Sequence, residues 1–200
     1  MAQDTANYSP ISVTGKLDAP IGKFLPLIKW ILVIPHILIL IPLLIIALVA
    51  TILAFLNIIV AGRYPRALFD FNLGVLRYIW RVEFYSYNAL GTDKYPPFTL
   101  KDIEDYPARL SIEYPEKLER IRAPFKWILA IPHLLIVDVF VSNPGLILIL
   151  VICGAFANIF VGRYPKDIFT LVVGMNRWAL RVSAYIFFMT DQYPPFRLEE

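Results

Sequence analysis

Little in this 200-residue chain is suited to chemistry in water. It has one cysteine, Cys153, two histidines, and charge on only 18% of its residues. A lone cysteine excludes an internal disulfide and a thiolate metal cluster. The net charge is +3, from 19 lysines and arginines against 16 acids, which excludes a nucleic-acid binder built on a basic surface. Disorder is excluded as well, because 58% of the residues are hydrophobic and disordered segments are poor in them. There is no Gly-x-Ser-x-Gly, phosphate loop, dinucleotide fingerprint or His-rich zinc motif. The expectation is a protein that is not an enzyme and holds no cofactor.

What the chain does have is long apolar runs. From Trp30 to Gly62 no Asp, Glu, Lys or Arg occurs in 33 positions, and from Trp127 to Gly162 only Asp138 occurs in 36. A transmembrane helix needs about 20 apolar residues, so each run is too long for one upright crossing. The polar start, with no Lys or Arg before Lys16, is not the n-region of a signal peptide, and the first run is expected to stay in the protein.

The chain is a repeat. Lys29-Trp-Ile-Leu-Val-Ile-Pro-His36 returns as Lys126-Trp-Ile-Leu-Ala-Ile-Pro-His133, an offset of 97. Gly62-Arg-Tyr-Pro65 returns at Gly162, and Arg77, Arg81-Val82 and Tyr85 return as Arg177, Arg181-Val182 and Tyr185, both offset by 100. Tyr95-Pro-Pro-Phe98 returns as Tyr193-Pro-Pro-Phe196, offset by 98. Four blocks in one order divide the chain into repeats over 1–104 and 105–200. This block order resembles the bacterial membrane family catalogued as domain of unknown function 4389, in two tandem copies. The first copy departs at its start, where Gly15-Lys-Leu-Asp18 stands against Tyr114-Pro-Glu-Lys117. The resemblance implies a membrane location and no established activity.

Each repeat divides into four pieces. The first is a short alternating strand, Ile11–Thr14 or Leu110–Tyr114, and two of these could pair at the membrane surface. Two apolar arms follow. The turn signal Ser142-Asn-Pro-Gly145 separates Phe125–Val141 from Leu146–Val161, and Ile41-Pro42 separates Phe24–Ile41 from Leu43–Ala61. The fourth piece is an amphipathic helix, Pro65–Leu90 or Pro165–Met189, with an arginine stripe that suits the membrane interface; a third, buried span is the alternative. The expected fold is therefore an all-α integral membrane protein of two parallel repeats. Each would be a transmembrane helical hairpin plus an interfacial amphipathic helix, with short β-strands at the surface. Lys23, Lys29, Arg63 and Arg66 flank the first apolar run, and Arg120, Arg122, Lys126, Arg163 and Lys166 the second. The positive-inside rule then places both termini in the cytoplasm, for a protein of the bacterial inner membrane. Crossings short enough to be re-entrant are the alternative.

Among single residues, His36 and His133 hold equivalent places in the apolar runs. Brought together, they would make a haem or metal site. The sequence favours instead a histidine that bonds a carbonyl freed by the preceding proline. Asp138 is expected at a hydrated tip, and Asn57 and Asn158 between helices. Trp30, Trp80, Trp127 and Trp178 suit an aromatic belt. Arg77, Arg81, Arg177 and Arg181 lie on one stripe per helix beside Gly74 and Gly174. They are candidates to bind lipid headgroups or acidic partners. The functional expectation is an accessory or scaffold membrane protein whose partners are lipids and other membrane subunits, not nucleic acid. The alternative is a small transporter or channel component with its site between the repeats.

Overall fold

The computed structural model describes residues 9–142 and 144–199. In repeat one, β1 (Ile11–Gly15) is followed by α1 (Leu25–Leu32), α2 (Ile34–Ala61) and α3 (Arg66–Tyr85). In repeat two, β2 (Ala108–Ile112) and a 3-10 turn (Ala123–Phe125) precede α4 (Lys126–Val141), α5 (Leu146–Val161) and α6 (Lys166–Ile186).

The expected break at Pro42 is absent, for Pro42 lies inside α2. The only interruption is at Val33, whose backbone stays in the right-handed helical region, with Pro35 in the first turn that follows. The hydrogen bonds Val33 N–H to Lys29 C=O and Ile37 N–H to Val33 C=O, both 3.0 Å, carry the helix across. A proline in a first turn loses no donor that the helix needs. Gly62 then ends α2 in the left-handed region at φ 67°, its N–H bonded to Ile58 C=O, and Gly162 ends α5 likewise at φ 77°.

α3 returns antiparallel along α2. Asn72 meets Thr51, Tyr78 meets His36, and Thr92 meets Lys29. In repeat two, α4 packs along the C-terminal half of α6, where His133 meets Trp178 and Trp127 meets Ile186; α5 packs against the same helix. The two ends of each apolar run thus lie at opposite ends of a partner helix about 30 Å long. This corrects the expected apolar hairpins. The arms do not fold back on each other; each run is one rod, interrupted in repeat two between the end of α4 and the start of α5, and the tight turn is Gly-Arg-Tyr-Pro instead. The sequence misled because Ser-Asn-Pro-Gly breaks a helix without dictating a reversal.

The chain is mostly helical but not all-α. β1 and β2 pair antiparallel, with Val13 opposite Leu110. Ile11, Val13, Ala108, Leu110 and Ile112 are buried, while Ser12, Arg109 and Ser111 are exposed. The buried face covers α3 and α6. Arg77 donates to Leu110 C=O, and Arg177 donates to Val13 C=O. Equivalent arginines therefore bind the two opposed residues of the ladder, so a pseudo-two-fold axis passes between Val13 and Leu110. Each repeat's strand is gripped by the other repeat's helix.

Three layers result: the sheet, then α3 and α6, then α1–α2 and α4–α5. The amphipathic helices are the middle layer, with residues 72–76 and 172–176 buried throughout. They are not laid out on a surface, because the polar stripe is covered by extended chain. The outermost apolar layer is open. Leu38, Val60, Leu135 and Phe160 are 66%, 77%, 67% and 79% exposed.

Candidate functional site

The repeated motifs converge on two equivalent clusters. In the first, the fully buried Lys29 donates to Thr92 C=O at 2.7 Å and pairs with Asp93 at 2.9 Å, its ammonium 4.7 Å from the Tyr85 ring centre. The second Asp93 oxygen accepts Gly22 N–H. In the second cluster Lys126 donates to Thr190 C=O and pairs with Asp191, both at 2.7 Å, and Asp191 accepts Glu119 N–H. A carboxylate that bridges a buried ammonium and a backbone donor stitches the end of each amphipathic helix to the start of each apolar one. The sequence reading passed over this pair. The signal was present, because Thr-Asp precedes both Tyr-Pro-Pro-Phe blocks at 92–93 and 190–191.

One helical turn or two further on lies the histidine. His36 Nδ1 is 2.6 Å from the Tyr78 hydroxyl, and His133 Nδ1 accepts the Trp178 indole N–H at 3.0 Å. Indole is a donor only, so His133 Nδ1 carries no proton and Nε2 does. Each ring stacks on the phenylalanine of its own Tyr-Pro-Pro-Phe block, with centres 4.3 Å apart for Phe98 and 4.0 Å for Phe196. Tyr95 and Tyr193 close the cluster and donate to Leu32 C=O and Leu129 C=O. The histidines are thus enclosed separately, each in its own repeat. No group of three metal-ligating side chains occurs among the described residues. Their partners are side chains from the amphipathic helices, not carbonyls freed by Pro35 and Pro132.

The arginine stripe serves the chain's own backbone. Arg81 donates to Lys101 C=O at 2.7 Å and to Thr99 C=O, and Arg181 donates to Arg197 C=O and Glu199 C=O at 3.2 and 2.6 Å. Arg177 also donates to Leu198 C=O. Gly74 and Gly174 sit on the same stripe because the crossing chain is close. A Cβ at Gly74 would lie 2.8 Å from Leu100 Cβ, and one at Gly174 2.9 Å from Leu198 Cβ. Asp102 lies within Coulombic range of Arg77 and is held below the usual carboxylate range chiefly by its bond to Arg109.

The remaining candidates separate. Asp138 is exposed on α4, and its carbonyl caps Ser142 N–H. Asn158 is buried and donates to Ile21 C=O, tying a helix to a loop, whereas Asn57 is exposed. Trp30 and Trp127 are exposed on the apolar layer, but Trp80 and Trp178 are buried in the core. Glu83, half-buried on α3, is pushed up to about 7 by burial, against a hydrogen bond from Asn88 that works the other way.

Residues 26–99 and 120–197 each match the family described as Domain of unknown function (DUF4389), and the chain belongs to that family as a tandem pair. No curated protein and no solved structure shows a match.

Proposed function

We propose that this tandem member of the family is a non-enzymatic accessory protein that lies in one leaflet of a bilayer. α1–α2 and α4–α5 run parallel to the membrane plane, and the sheet faces water. One observation carries this reading: apolar and charged surfaces lie opposite each other at the same height along the helices. Midway along α3, one side holds α2, with Ile45, Leu48 and Val49 exposed. The other side holds β2, whose Arg109 pairs with Asp102 at 2.7 Å in the open. An upright α2 would drag that ion pair into hydrocarbon, which is strongly unfavourable. A flat one leaves that ion pair on the water side. The length agrees, since 28 residues of α2 span about 42 Å against a hydrocarbon core of about 30 Å. In a soluble protein such helices would be mostly buried, but here 22% and 28% of the two most apolar windows are. The pseudo-two-fold axis then lies along the membrane normal. The polar sheet face is free to receive another subunit. Contacts between the repeats include aromatic pairs, such as Phe55 with Trp127 and Phe84 with Phe169, and the polar groups there, such as Arg77, Arg177 and Asn158, are bonded to backbone carbonyls, which speaks against a transport path.

Impermeant maleimide labelling tests the orientation. In a Cys153→Ser background, Lys23→Cys and Arg63→Cys sit at opposite ends of the first apolar rod. In sealed vesicles both are expected to label from one side, as is Ser142→Cys. Labelling of the Lys23 and Arg63 positions from opposite sides would show that the rod spans, and the reading would be wrong.

A further inference from the structure

We infer that the groove at the Gly162–Pro165 turn binds the phosphate headgroup of an anionic phospholipid, at a place whose equivalent beside the Gly62–Pro65 turn is filled by Tyr114 of repeat two. The inference rests on the membrane reading above. It comes from overlaying the two copies. Equivalent bonds, Arg77 to Leu110 C=O with Arg177 to Val13 C=O, and Lys16 N–H to Pro107 C=O with Glu113 N–H to Pro10 C=O, set the strands at the histidines' offset of 97, so Leu17 is the counterpart of Tyr114 and not, as the block order suggested, of Glu116. The turns share an offset of 100, so Tyr164, Lys166 and Phe169 match Tyr64, Arg66 and Phe69.

In repeat one the receiving residues are occupied. The Tyr114 hydroxyl donates to Tyr64 C=O, its ring meets Phe69 edge-on at 5.1 Å, and the Arg66 guanidinium lies 4.6 Å from its centre. Leu17 has neither ring nor hydroxyl. In its place is a groove of about 760 Å³, lined among others by Leu17, Ile21, Asn158, Val161, Arg163 and Lys166. That volume is ordinary for a small-molecule site.

The charges differ in the same sense. Arg66 is neutralised by Asp70 at 3.1 Å, but Thr170 stands at the position matching Asp70. Among the described residues neither Arg163 nor Lys166 has an ion-pair partner. Lys23 adds a third cation, its Cε 3.9 Å from where a Gly162 Cβ would stand. Asp167 is the only carboxylate on the groove wall. Phosphate is the anion that an arginine fork and lysine ammonium groups suit. The neighbouring Phe160 and Val161, 79% and 66% exposed, continue the apolar layer past the cations. An acyl chain lies along that wall when a headgroup occupies the groove. A free phosphate ester has no use for it.

The test uses the full chain in detergent, after incubation with vesicles of equimolar phosphatidylglycerol and phosphatidylcholine, with bound lipid counted by native mass spectrometry. Wild type is expected to retain phosphatidylglycerol in preference to phosphatidylcholine. Leu17→Tyr, which rebuilds the occupant, is expected to lose that preference. Arg163→Gln with Lys166→Gln, at exposed positions that folding does not need, is expected to weaken retention about thirtyfold, from two basic residues. Tyr114→Leu with Asp70→Thr is expected to gain a second retained lipid. Vesicle flotation of every variant should stay at the wild-type level, since the apolar layer is untouched. Wild-type protein that fails to float would sink the membrane reading itself. If it floats but Leu17→Tyr keeps the lipid, or retention ignores the headgroup, the groove is not the site. Displacement of the lipid by soluble glycerol phosphate at equal concentration would assign the groove to a free phosphate ester and overturn the lipid proposal.

Discussion

Asp93→Asn isolates the buried ammonium of Lys29. The wild-type lysine has three partners: the Asp93 carboxylate, Thr92 C=O and the Tyr85 ring. Asparagine is almost isosteric and still accepts Gly22 N–H through its one carbonyl oxygen, so the substitution removes the charge and turns an amide N–H donor, in place of an acceptor, toward the ammonium. Taking one partner from a fully buried pair costs about 3–5 kcal/mol. Asp93 is 28% exposed and water screens that side, so about 2–3 kcal/mol is expected here. In a chain of this size that lowers Tm by roughly 5–10 °C. Burial already holds the Lys29 pKa below its ordinary value, and Asp93 works against that shift. Without the carboxylate the pKa falls further, so the folded state sheds a proton that the unfolded chain keeps. The loss should therefore shrink as pH rises toward the ordinary lysine range. Adding Lys29→Met removes the stranded charge, and most of the stability should return. Thermal melts in detergent at several pH values measure all three variants. A loss below about 0.5 kcal/mol for Asp93→Asn, or a double variant whose loss is the sum of the singles, would refute the reasoning. Lys126 and Asp191 should repeat the result.

Gly74→Ala places a methyl 2.8 Å from Leu100 Cβ and 3.0 Å from Leu100 C=O, and chemical denaturation should show a loss of about 1–3 kcal/mol. Arg81→Lys keeps the charge but cannot reach Thr99 C=O and Lys101 C=O as one planar fork; a loss of about 1.5–3 kcal/mol is expected in the same assay, and near-neutrality would mean that charge alone suffices. Glu83 titrates at about 7 in the folded state against 4.5 when unfolded, so the native state holds the proton more tightly and loses stability as pH rises between those values. Glu83→Gln should therefore melt about 1–3 kcal/mol more stably than wild type above pH 7 and equally below pH 4.5; a gain independent of pH would contradict the assignment.

The sequence by itself determined the duplication, the two apolar runs and the family, because identical blocks and a charge-free run need no partner to be recognised. Both strands were legible from their alternation, although β2 begins at Ala108, two residues before the expected start. The Gly-Arg-Tyr-Pro blocks are legible in the sequence only as repeats, and the structure makes them the left-handed reversals. Only the tertiary structure decided which helix each rod lies against. An apolar run packs equally well in sequence terms against its neighbour or against a later helix, and the choice was made by Asn72, Tyr78 and Trp178 offering partners to Thr51, His36 and His133. The arginine stripe shows the same limit. Its spacing announced one polar face, but a polar face can meet phosphate, carboxylate or carbonyl alike. Extended chain at 99–101 and 197–199, distant in spacing but folded back across α3 and α6, supplied the carbonyls. The difference between Tyr114 and Leu17 is a single side chain in the sequence, and becomes a filled or an open groove only once both turns have folded.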